Sequence, residues 1–95
     1  MSMITINAIL KAKLGQEKAL YQELMKVIEP SQQENGCIDY TLHRSLEDDS
    51  VFVFYETWKD KEALQAHITS PHYQAYRDAI QDLVESREVY KLKKV

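Results

Sequence analysis

One cysteine, two glycines and two prolines in 95 residues exclude several designs at once. Cys37 has no partner for an internal disulfide, so the chain is no disulfide-stapled miniature, and a reducing compartment suits it. With so little glycine and proline, neither a fibrous repeat nor a disordered linker fits. Cationic excess is missing too: 12 Lys+Arg against 15 Asp+Glu give a net charge of −3, and the one basic cluster is the tail Lys91, Lys93, Lys94. The electrostatic footprint of a nucleic-acid binder is therefore absent. No apolar run approaches the roughly 20 residues of a membrane span, and no charged-then-apolar leader is present. The expectation is a cytoplasmic protein with neither nucleic acid nor membrane as partner.

What is present is ordinary globular material. A composition 44% hydrophobic and 28% charged is enough for one core, so residues 1–95 are expected to form a single domain, small enough to gain from a partner chain. Residues 3–13 alternate as a strand, with Ile4, Ile6, Ala8 and Leu10 on one face and Thr5, Asn7 and Ile9 on the other. Residues 16–29 keep Leu20, Leu24, Val27 and Ile28 on one side of an amphipathic helix, which Pro30 bends or ends unless Ser31 to Glu34 add a turn before Gly36. Residues 37–44 alternate again, residues 45–50 form a polar hairpin connection, and residues 51–58 are apolar on both faces until Glu56. Helices over 60–68 and 71–84, the first capped by Asp60, lead to a last strand over 87–95 whose lysines suit an exposed edge.

Strand, helix, strand, strand, helices, strand is the order of a ferredoxin-like α+β fold: a βαββαβ sandwich with an antiparallel sheet and helices on one face. The strand over 51–58 presents Phe52 and Phe54 one way and Val51, Val53 and Tyr55 the other, yet helices cover only one side. An uncovered apolar face in so small a domain predicts a homodimer with two sheets facing one another.

The unusual chemistry is concentrated in Tyr55 to Ile80. This stretch holds the single tryptophan, Trp58, and two of the three histidines, His67 and His72. Ser70-Pro71 is a helix-start signal: the serine oxygen accepts a first-turn amide, and proline has no N–H to leave unpaired. Helical spacing from Pro71 puts His72, Tyr76, Ala79, Ile80 and Leu83 on one face, carrying an imidazole and a phenol inward together. Asn7 is out of place among apolar neighbours and is either a partly solvated amide or a ligand-facing donor. Cys37 and His43 read as structural, and Glu56 as a partner for a cation or backbone group.

Asn7, the run Glu34-Asn35-Gly36-Cys37 leading to Tyr40, Tyr55-Glu56-Thr57-Trp58-Lys59 and Ala66-His67-Ile68-Thr69-Ser70-Pro71-His72-Tyr73-Gln74-Ala75-Tyr76 together resemble the antibiotic biosynthesis monooxygenase (ABM) domain family over essentially the whole chain. The resemblance implies a dimeric α+β barrel and an activity like that of quinol- or anthrone-type monooxygenases, which need no metal or flavin. It implies a pocket between sheet and helices that gathers Asn7, Trp58, His67, His72 and Tyr76. Within it His67 or His72 would be the base, Asn7 and Tyr76 the groups that hold the oxyanion, and Trp58 with Tyr55 the substrate contacts. The substrate is then a small aromatic phenol or quinol that itself reduces O2, and no cofactor is expected. Haem-degrading relatives carry an axial histidine where this chain has Tyr76 or Arg77, which argues against haem. Three histidines without tight spacing on one element give no metal site by sequence. A small-molecule-binding dimer without turnover, or an isomerase of the same fold acting on a phosphorylated quorum-sensing sugar derivative, remain as alternatives.

Overall fold

The computed structural model describes residues 2–95. The chain runs β1 (Ile4–Ala12), α1 (Glu17–Gln32), β2 (Cys37–Arg44), β3 (Val51–Trp58), α2 (Lys61–Ile68), α3 (Pro71–Ile80) and β4 (Val84–Leu92). All strand pairs are antiparallel, in the order β2-β3-β1-β4. This is the expected ferredoxin-like sandwich, with its second helical segment split in two.

Strand alternation decides what each face holds. Ile6, Ala8, Leu10 and Ala12 of β1 turn to the same side as Phe52 and Phe54 of β3, with Ala8 opposite Phe54 and Leu10 opposite Phe52. Against them α1 sets Leu20, Leu24 and Val27, while α2 and α3 contribute Leu64, Tyr76 and Ile80. Each of the Ile, Leu, Val and Phe side chains adds about 1.5–3 kcal/mol when fully buried, so this layer is what holds the helices on the sheet. The opposite face carries Ile9, Val53, Tyr55, Tyr90 and Leu92, and no helix among the described residues covers it.

Two boundaries differ from the sequence expectation, and a third takes the longer of the two ends that the sequence left open. Helix α1 continues through Pro30 to Gln32, because Ser31 is fully buried and the Gln32 amide donates to the Tyr40 carbonyl at 3.1 Å, anchoring the last turn on β2. Helix α3 stops at Ile80, not at 84, and β4 starts at Val84, not at 87. Nine-residue β1 takes Val84 as partner of its own end at Ala12, and Lys13 donates to the Leu83 carbonyl. Strand pairing thus outweighs the helical spacing of Leu83.

Candidate active site

Two local signals place the imidazoles. Asp60 caps α2 by accepting from the Ala63 amide at 2.8 Å, and Ser70 caps α3 by accepting from the Tyr73 amide at 3.2 Å. The Ser70 hydroxyl also donates to the His67 carbonyl at 2.7 Å, tying the end of α2 to the start of α3. His67 therefore lies in the last turn of one helix and His72 in the first turn of the next. The connection from α1 to β2 supplies a third group, Glu34. That loop rests directly on α2: a side chain on Gly36 would collide with the Ala63 methyl, so only glycine permits the approach.

Glu34 Oε2 lies 2.7 Å from His67 Nδ1 and 2.6 Å from His72 Nε2. A carboxylate oxygen only accepts, so both nitrogens carry their protons there. Proton placement follows for the rest of the His67 ring: with Nδ1–H held by Glu34, neutral His67 has its free lone pair on Nε2. That atom is buried and has no protein partner. Burial pushes the His67 pKa below its ordinary value, and the Glu34 carboxylate pulls the other way. The ring also stacks on Trp58, with centroids 4.4 Å apart and planes 28° apart.

His67 lines a small cavity of about 40 Å³ between β1, β4 and the helices, together with Ile6, Ala8, Glu56, Tyr73, Tyr76 and Arg87. Arg87 Nη2 donates to the Tyr73 hydroxyl at 3.0 Å, while Arg87 Nε is buried without a partner. Two residues that each keep an unmatched buried nitrogen, His67 and Arg87, thus line one cavity. Glu56 accepts from the Trp58 indole N–H at 3.0 Å, and burial lifts its carboxyl to about 7. Burial also raises the Tyr76 phenol, to about 12, with Arg87 opposing the rise.

Residues 3–79 match the sequence profile of the family Antibiotic biosynthesis monooxygenase. The chain belongs to that family. Among relatives of the antibiotic biosynthesis monooxygenase kind, the protein named "Probable quinol monooxygenase YgiN" of Escherichia coli is 28% identical over 87% of this chain and 90% of its own length. The uncharacterized protein sll1783 of Synechocystis is 27% identical over 97% of this chain, which spans 63% of the length of that relative. The crystal structure of PA3566 from Pseudomonas aeruginosa superposes with a TM-score of 0.95 at 28% identity, covering 100% of this chain and 96% of the other.

Within this antibiotic biosynthesis monooxygenase fold, the residues expected at the pocket do not all converge. His67 and Tyr76 share the cavity. His72 sits beside it, bonded to Glu34 and outside the lining. Asn7 and Tyr55 pair with one another across β1 and β3 on the open face, because Ile6, Ala8, Phe54 and Glu56 take the helix-facing side. Trp58 is placed differently again. It is fully buried, and its ring is occupied by His67, so it backs the imidazole rather than lining the cavity. Glu34, His67 and His72 bring three donor atoms within 4.8 Å of one another, from one connection and two helices. Those donors are matched in hydrogen bonds that a bound ion would have to replace. Glu34 and Arg87 carried no site role in the sequence reading. The Glu-x-Gly run pointed to Glu34 only through family resemblance, and Arg87 became visible only once β4 was paired with β1, opposite Leu10.

Proposed function

We propose that this chain is a cofactor-free monooxygenase of a phenol- or quinol-type aromatic, with His67 as the base. The observation that carries the reading is the buried, unpartnered Nε2 of His67, a residue that lines the cavity and whose tautomer is set by Glu34. A neutral imidazole accepts a phenolic proton near neutrality, and general-base assistance of this kind is worth about 10²–10⁴-fold. Arg87 Nε–H then faces the phenolate that forms, and Tyr76, which burial keeps protonated, adds a neutral donor. The electron-rich anion reduces O2 itself, a step that asks only for a dry, oriented site. His72 acts through Glu34 as a positioning residue, and Trp58 fixes the imidazole plane. Asn7 and Tyr55 belong to the other side of the sheet, where this reading gives them a place in a homodimer contact. Asn7 Oδ1, buried and unpartnered there, would find a donor on a second copy.

The test is oxygen uptake with a dihydroxynaphthalene or an anthrone. His67→Ala is expected to lose at least about 100-fold in kcat/KM, His72→Ala markedly less. Full activity in His67→Ala removes the imidazole as base and the reading with it.

A further inference from the structure

The cavity that His67 lines has about 40 Å³ of space, room for a water-sized group and far below the roughly 300 Å³ at which pockets take drug-sized ligands. A second hollow adjoins it. Leu64, Ile68 and Lys91 line both, and the second has about 490 Å³ between α2 and the end of β4. The second hollow has volume enough for an aromatic ring and shares those three residues with the cavity that His67 lines.

This groove has an asymmetric chemistry. Its apolar lining is Ile4, Leu64, Ile68 and Leu92, and three of its eight lining residues are cations, Lys61, Lys91 and Lys93, with no aspartate or glutamate among them. This is notable in a chain of net charge −3. Among the described residues none of the three lysines is in an ion pair. Protection of an edge strand accounts for lysines on β4 and its tail. It does not account for Lys61, which arrives from the first turn of α2. Nor does it explain why Lys91, in register with Ile6, takes the helix-facing side of its strand.

Building on the oxygenase reading, we infer that the substrate class of this site is an anionic aromatic: a hydroxyaryl carboxylate whose ring lies on the apolar lining, whose hydroxyl meets His67, and whose acid group sits among Lys61, Lys91 and Lys93. The three lysines select the acid over the corresponding neutral phenol. Their contribution weakens with salt, because the charges are exposed.

The experiment measures binding without turnover. Under anaerobic conditions, 6-hydroxy-2-naphthoate and 2-naphthol are titrated into the whole chain. Quenching of Trp58, the single tryptophan, which stacks on His67, reports binding, and calorimetry supports it. At low salt the acid is expected to bind about five- to tenfold more tightly than the naphthol, the effect of a few exposed ion pairs. Lys61→Gln/Lys93→Gln is expected to erase most of that preference. Lys13→Gln/Lys18→Gln, with the same change in net charge on exposed positions outside the groove, is expected to keep it. Equal affinities for the two compounds, a preference that survives in the groove variant, or no binding of either compound overturns the inference. Oxygen uptake with a dihydroxynaphthoate separates the two ideas: selective binding without uptake leaves the groove assignment standing and removes the oxygenase reading, whereas uptake without selectivity does the reverse.

Discussion

Glu56 is the buried carboxyl with the strongest consequence for pH. It is 6% exposed, its one hydrogen bond comes from the Trp58 indole, and burial lifts it from 4.5 to about 7. In the unfolded chain the proton leaves near 4.5, whereas the folded chain holds it to about 7. Between those values the native state binds more protons, so this residue lowers stability as pH rises through the window. The gap between 4.5 and about 7 corresponds to on the order of 3 kcal/mol. Glu56→Gln keeps an acceptor for the indole and removes the titration. Its stability relative to wild type should therefore climb by about 2–3 kcal/mol from pH 5 to pH 8. Urea melts of both proteins at the two pH values check this, and the comparison cancels the opposite contribution of His67, whose lowered pKa adds stability as pH rises. A constant difference across that range would mean that Glu56 titrates like a solvated carboxyl.

Between elements, the decisive junction is the one from α2 to α3. Ser70 caps α3 and also holds the His67 carbonyl, so one hydroxyl fixes the relative placement of both imidazoles. Ser70→Ala removes both bonds. The expected cost is about 1 kcal/mol, or about 5 °C in Tm for a domain of this size, with a loss of activity that Ser70→Thr restores in part. Thermal melts with matched oxygen-uptake assays decide it, and an unchanged Tm would show that Pro71 alone starts the helix. This junction was legible in advance because capping is local chemistry: Ser, Pro and Asp60 act on amides within three residues. Strand faces were legible for the same reason, since alternation is a property of the strand itself. The site was only partly so. Placing Asn7 and Tyr55 with the histidines went against the alternation of their own strands. Glu34 meets residues 33 and 38 positions away, and Arg87 owes its place to the pairing of β4 with β1. Such juxtapositions depend on closure of the whole fold, and no window of sequence contains them.

For the whole molecule the open sheet face sets the remaining question. Tyr55, Tyr90 and Leu92 are each more than 40% exposed there, and Ile9 and Val53 extend the patch between them. Four strands spaced about 4.8 Å apart, each some eight residues long at about 3.3 Å per residue, present roughly 500 Å² of sheet. Two copies face to face would bury on the order of 1,000 Å² by that projection, and more as accessible surface, which reaches the range of specific interfaces. A homodimer of twice 11.1 kDa is the expected species by light scattering at micromolar concentration. Tyr55→Glu/Tyr90→Glu puts like charges into the centre of that face without touching the helix side, where the core and His67 lie. The variant should run as an 11.1 kDa monomer, with lower thermal stability because the exposed face loses its cover. If wild type already scatters as a monomer at every concentration tested, sheet-to-sheet pairing is wrong, and Asn7 Oδ1 must be satisfied by water. If the variant stays dimeric, the contact lies elsewhere, and the edge strands β2 and β4 become the next surfaces to charge.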